Sequence, residues 1–172
     1  MAILQESDFT EDPIFNIALT VQAECELETM IADVEQNTLQ DLLGCDLYTL
    51  FIADLSVGTP QTPQTQIYID IFEPFCFDHE LCGPQKSKGM IDMLKGLVYF
   101  EWHRYNQNKS TSTGIVRGDS ENSNLVSAEA FGMYDKYNRA IETYRSIQQY
   151  IYDNSPVYPD FAGVRKLYNS AI

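Results

Sequence analysis

From Ser87 to Asn154 the chain reads as two long amphipathic helices joined by a polar stretch, Asn106 to Ser123, and this arrangement constrains the fold more than any other feature. A helix with one apolar face must bury that face against another element. The joining stretch is far longer than the about 2 to 8 residues that usually connect packed helices, and structureless loops beyond about 15 residues are usually functional or disordered. It holds no histidine, cysteine or aromatic side chain, so it offers little for catalysis and reads as a reaching arm.

The 172 residues suffice for one domain of ordinary size with an extended tail. Hydrophobic residues make up 44% and aromatics 12%, enough to build a real core and to argue against general disorder. A formal net charge of -14, from 25 acidic against 11 basic residues, argues against a groove that grips nucleic-acid phosphates. Cys25, Cys45, Cys76 and Cys82 form no CxxC pair, and no charged segment followed by an apolar one opens the chain. The expectation is four reduced thiols packing as small hydrophobes in an intracellular protein. No apolar stretch approaches the roughly 18 residues of a membrane-spanning helix, so no membrane association is expected.

Periodicity predicts about four main helices and no convincing sheet. The first spans Val21 to Leu43 on the stripe Val21, Leu27, Met30, Ile31, Val34, Thr38 and Leu42, with Thr20 as N-cap and Gly44 as a left-handed stop. A second, shorter helix is capped by Asp46 and runs through Leu55. Gly58, Pro60 and Pro63 break periodicity from Ser56 to Gln66. Residues Ile67 to Phe77 read as irregular and mostly buried, with a strand and a short helical turn equally compatible.

A third helix is predicted from Pro84 or Ser87 to Tyr105, on Ile91, Leu94, Val98, Trp102 and Tyr105. Gly89 and Gly96 inside it cost roughly 1 kcal/mol each relative to alanine, and Gly96 marks close backbone contact with another helix. The fourth helix runs from Leu125 or Ser127 to Asp153 with Phe131, Tyr134, Tyr137, Ile141, Tyr144, Ile147 and Ile151 on one face. Pro156 and Pro159 end it. Phe161, Val164, Leu167 and Tyr168 are compatible with one last short helix docking on a neighbour. The fold class is therefore all-α: a helical connector domain over 1–155 with a long loop at 106–123, and a C-terminal tail over 156–172.

The catalytic inventory is thin. Asp70, Glu73, Cys76, Asp78, His79, Glu80 and Cys82 form the densest group of potential ligands, but structural zinc wants a fourth ligand and a recognisable second pair. An exposed polar turn flanked by buried thiols explains the same residues. His103 lacks a neighbouring nucleophile or second histidine, and Gly114 and Gly118 make neither a P-loop nor a dinucleotide-binding turn. No catalytic, cofactor-binding or metal-binding residue is assigned. Arg104, Lys109 and Arg117 place positive charge around the long loop, read either as solvation or as pairing with an acidic partner.

Four segments carry a family resemblance: Thr38-Leu-Gln-Asp-Leu-Leu-Gly-Cys-Asp-Leu-Tyr48, Ile71-Phe-Glu-Pro-Phe75, Ser87-Lys-Gly-Met-Ile-Asp-Met-Leu-Lys-Gly-Leu-Val-Tyr-Phe-Glu101, and the Asn-rich loop entering an aromatic helix. In this order, from about Ile3 to Phe161, the chain resembles head-to-tail connector (adaptor) proteins of tailed bacteriophages, most of all the ring proteins of crAss-like and related Bacteroidales phages. The resemblance implies a helical subunit, without enzymatic activity or cofactor, that assembles into a ring, usually twelvefold, beneath the portal protein. Such a ring extends the channel for genomic DNA without sequence-specific binding and presents a platform for tail or further ring proteins. The protein would be made in the bacterial host cytoplasm and reside at the head-tail junction of the virion.

On that reading the subunit or portal contacts are expected at Asn108, Lys109, Thr113, Ile115, Val116 and Arg117 of the loop, and at Tyr158, Phe161, Leu167 and Tyr168 of the tail. An acidic excess suits a channel wall along which DNA must slide without sticking. The alternatives from other classes are a small helical metal-dependent hydrolase built on the Asp70 to Cys82 cluster, and a helical scaffold or regulator of the host cytoplasm.

Overall fold

Leu27, Ile31, Leu39 and Leu42 recur at helical spacing, and in the computed structural model all four are buried along one face of helix α2 (Glu24–Leu43). The structure describes residues 3–17, 24–58, 60–79, 83–107, 110–111, 114–115 and 128–162. Thr20, the expected cap of the first helix, lies outside them. Gly44 stops α2 with a left-handed φ of 79° and an N–H that donates to the Gln40 carbonyl at 2.9 Å. Its own carbonyl accepts the Tyr48 N–H at 3.0 Å, so α3 (Cys45–Asp54) starts at once, capped by Gly44 rather than by Asp46.

A short helix, α1 (Ser7–Thr10), precedes α2 and was not legible from periodicity because it is a single turn. Its Phe9 is fully buried. Full burial of one such side chain is worth about 1.5–3 kcal/mol, which outweighs the weak propensity of so short a helix.

Asp54 closes the proline-containing connector by accepting the Gln64 and Thr65 N–H groups, both at 2.8 Å, together with the Thr65 hydroxyl. Thr65 is the N-cap of α4 (Gln66–Phe72), whose Tyr68, Ile71 and Phe72 are buried. The stretch expected to be irregular is thus a helix followed by a strand. β1 (Phe75–His79) pairs antiparallel with β2 (Gly83–Ser87) in the register Phe75↔Ser87, Phe77↔Gln85 and His79↔Gly83. Pro84 and Ser87, expected to start the third helix, belong to this hairpin. A proline is tolerated there because a two-stranded sheet consists of edge strands only.

Helix α5 (Met90–Gln107) begins after Gly89, whose φ of 89° is left-handed and whose carbonyl accepts the Met93 N–H at 3.2 Å. A Cβ at Gly89 would lie 2.9 Å from the Phe72 carbonyl oxygen, so the turn requires glycine twice over. β3 (Ser110–Thr111) and β4 (Gly114–Ile115) form a minimal antiparallel pair, and α6 (Ala128–Asp153) completes the described elements. Among the described residues the fold is mostly helical, with six helices and the β1–β2 hairpin, so all-α holds coarsely but not fully.

Helix α5 is the middle of the core. It packs most extensively on α6 and then on α2. Gly96 sits at the α5–α6 crossing, where an added Cβ would fall 2.9 Å from both the Ala140 Cβ and the Lys136 carbonyl oxygen. Ala140, Ile141, Tyr144, Ile147 and Ile151 of α6 are buried. Tyr134 and Tyr137 lie at the rim of that interface, with ring centroids 6.1 and 4.4 Å from Phe100.

Past α6 the chain folds back on the body. Tyr158 is 3% exposed, and its hydroxyl donates to the Ile67 carbonyl at 2.8 Å. Phe161 is partly buried against the same core. The first residues of the tail therefore belong to the helical body. Tyr158→Phe keeps the ring and removes the hydrogen bond, so chemical denaturation should show a loss of about 1 kcal/mol. A variant as stable as the parent would show that the ring alone secures the segment.

Candidate assembly surface

The long loop begins at residue 108 rather than at Asn106. Asn106 and Gln107 continue α5, and the Asn106 side-chain amide donates to the Trp102 carbonyl at 3.0 Å. Ser110 then pairs with Ile115 and Thr111 with Gly114, so part of the arm is a tight hairpin rather than an open loop. Of the contacts expected there, Ile115 lies in β4, while Asn108, Lys109, Thr113, Val116 and Arg117 fall outside the described residues. So do Leu167 and Tyr168 of the tail. Tyr158 and Phe161, expected to touch a neighbour, are buried and partly buried, respectively, against the core of their own chain. Burial beside Tyr150 removes the Tyr158 ring from water, and the Ile67 carbonyl replaces the water that its hydroxyl would otherwise bond.

The strand geometry takes apart the group of potential metal ligands. Successive side chains of a strand point to opposite faces. Cys76 and Asp78 are exposed on one face of β1, while Phe75, Phe77 and His79 are half-buried on the other. Phe75 and Phe77 pack on Tyr150, tilted and edge-on, with centroids 4.8 and 5.6 Å away, and His79 Nε2 lies 3.8 Å from an Asp153 carboxylate oxygen. Asp70 is engaged by the Gln66 amide at 2.7 Å. Glu80 and Cys82 fall outside the described residues, and among those described no group of three potential ligands is placed to hold a metal. His103 packs its ring 4.2 Å from that of Tyr99, within α5.

Two charged residues that periodicity did not single out hold the N-terminal segment in place. Glu35, 5% exposed on α2, accepts the Leu4 N–H at 2.6 Å and the Ile3 N–H at 3.3 Å. Burial raises its pKa to about 7, and the nearby Asp8 charge adds to the rise, although both backbone donors favour the ionised form. Lys95 of α5 places its ammonium 3.2 Å from Asp8 and 3.1 Å from Asp12. Burial alone would raise the Asp12 carboxyl, but hydrogen bonds from the Ile14 and Phe15 N–H groups and from Lys95 outweigh it and hold the pKa low. For Lys95, burial is likewise overcome by the two carboxylates, and its pKa is raised. Glu35 was readable as an acid inserted into the stripe between Ile31 and Leu39; its partners were not.

The charges are segregated along the chain. All 11 lysines and arginines lie from Lys86 onward, whereas 16 of the 25 acidic residues precede it. In the structure the two signs are exposed on different elements, with acids such as Asp78 and Glu142 interspersed among the bases. Glu26, Glu28, Asp33 and Asp46 are exposed on α2 and α3, while Lys86, Lys88 and Arg145 are exposed on and beside the hairpin and on α6. The Lys88 N–H reaches the Thr143 hydroxyl at 3.4 Å, which sets this edge of the hairpin against α6. Exposed Tyr105 and Leu50, and Tyr152 at 70% exposure, add apolar area.

No family model matches the chain, and neither does any curated protein or solved structure. No described helix is long and apolar enough to cross a membrane.

Proposed function

We propose that the protein is a structural subunit of a phage head-tail connector, assembling head-to-tail into a ring below the portal and extending the DNA channel. One observation supports this reading beyond the sequence resemblance: the half of the chain before Lys86 exposes Glu26, Glu28, Asp33 and Asp46 on α2 and α3 and has no lysine or arginine, whereas the exposed bases Lys86, Lys88 and Arg145 lie on and beside β2 and on α6. A heterologous, rotating contact joins two different patches of the same subunit, and patches of opposite sign favour that contact over a symmetric one. The acidic excess suits a wall that repels DNA phosphates. The isolated subunit is then monomeric or weakly associated and closes into a ring on its portal template.

The test is a loop replacement. Exchanging residues 108–123 for a short Gly-Ser linker should leave the helical circular dichroism intact and abolish ring assembly on the co-expressed portal protein, as seen by electron microscopy. Normal rings from the replaced chain would sink the loop's assigned role. A stable closed dimer of the parent in light scattering would count against the ring itself. The hydrolase reading has no geometric support among the described residues; stoichiometric zinc or manganese in the purified protein would revive it.

A further inference from the structure

Between the N-terminal segment and α2 lies an open groove of about 550 Å³. Leu4 and Ile31, almost fully buried, form its floor beside exposed Ala32, and Glu6 and Glu28 supply a carboxylate from each side. Both walls are braced. Glu35 ties Leu4 to α2, and Lys95 ties Asp8 and Asp12 to α5, so the groove is formed before anything enters it. Apolar lining between two carboxylates suits long cationic side chains, whose methylene stems lie on hydrocarbon while their heads reach the acids.

The half of the chain that builds this groove contains no lysine or arginine up to Lys86, so its sequence neighbours supply no such cation. Lys95, which does reach the N-terminal segment, is already committed to Asp8 and Asp12. Adjacent basic residues occur at one place in the sequence, Arg165-Lys166, and they are followed at once by Leu167-Tyr168. The two adjacent cations match the groove's two carboxylates in sign and number. It belongs to the ten residues that follow Ala162, and ten residues extend to at most about 36 Å. The segment departs beside Phe161, whose neighbour Tyr158 is fastened to α4.

We infer that the groove between the N-terminal segment and α2 receives the C-terminal segment 163–172 of a neighbouring copy of this chain, with Arg165 and Lys166 against Glu6 and Glu28. Delivery from a neighbour rests on the ring reading; the match between segment and groove does not.

The experiment uses a fluorescent peptide of residues 163–172 and, as receptor, the full chain carrying Arg165→Glu and Lys166→Glu, so that its own tail does not compete. Saturable binding is expected, weakened at least fivefold when Glu6→Lys and Glu28→Lys are added to the receptor and weakened again by salt. A peptide with glutamate at 165 and 166 should prefer the lysine-bearing groove. Circular dichroism of each variant checks the fold. Absent binding, or binding indifferent to Glu6 and Glu28, overturns the inference. For delivery between copies, the tail-reversed and groove-reversed chains should each lose the concentration-dependent association of the parent in sedimentation velocity, and an equimolar mixture should regain it. Peptide binding without that rescue overturns the assignment to a neighbour. Ring formation on the portal is scored separately: its failure alongside peptide binding sinks the connector reading and leaves the groove's occupant standing.

Discussion

Replacing Gly96 by leucine is expected to destabilise the protein by about 3 kcal/mol or more, lowering the melting temperature by roughly 6–12 °C. The added Cβ alone would sit 2.9 Å from the Lys136 carbonyl oxygen and from the Ala140 Cβ. The first of these is backbone in the middle of α6, so it yields only if the whole helix moves. Separating α5 from α6 loosens the most extensive helix contact in the fold, and tightly packed interiors do not deform by small, independent steps. Gly132, also within α6, is the internal control. A Cβ there meets nothing within 4 Å, so Gly132→Ala should stabilise by about 0.5–1 kcal/mol through helix propensity alone. Differential scanning calorimetry of both variants decides the matter; equal effects at the two positions would mean that α5 and α6 do not meet at Gly96.

Glu35 should make stability depend on pH in a direction opposite to an ordinary surface carboxylate. Burial raises its pKa in the fold to about 7 from the ordinary value of 4.5. The protonated form is therefore favoured in the folded state, and the associated stability is fully present below pH 4.5 and is lost as pH rises through 7. The size of this loss is on the order of 3 kcal/mol. Glu35→Gln keeps a carbonyl acceptor for the Leu4 N–H and cannot ionise. Urea unfolding should find the two proteins similar near pH 4.5, with the variant gaining on the parent up to about pH 7 and holding its advantage beyond. Taking the difference cancels the general rise in repulsion among the other carboxylates. A difference that stays constant across this range would show that Glu35 is ionised in the fold throughout. Glu35→Leu, in contrast, orphans the Ile3 and Leu4 N–H groups and should be destabilised at every pH, by about 2–4 kcal/mol.

How far the fold could be read in advance depended on how local its causes are. The spans of α2, α3, α5 and α6 follow from side-chain spacing within each segment, and their ends moved by only a few residues. Gly44 was legible because a helix stop is decided by one residue's left-handed conformation. Gly96 was legible because a glycine inside a strongly patterned helix costs stability unless something approaches it closely. The hairpin was not legible. β2 contains Gly83 and Pro84, poor strand formers, and the hairpin's apolar side rests on Tyr150, far along the chain.

The candidate assembly surface divides in the same way. Charge segregation is written in the order of the residues, and so is the pairing of cations with apolar side chains at Arg165 to Tyr168. Which faces these charges occupy is not. Tyr158 reads from sequence as a tail residue free to dock elsewhere, and the fold spends it on its own core. Sequence by itself determined helical periodicity, helix stops and the charge of each stretch, since those arise among residues within a few turns of one another. The tertiary structure alone decided the anchoring of the N-terminal segment, the hairpin's seat and the burial of Tyr158. There the partners are separated by 31 residues for Leu4 and Glu35, 83 for Asp12 and Lys95, and 91 for Ile67 and Tyr158, and no local pattern encodes a hydrogen bond over such distances.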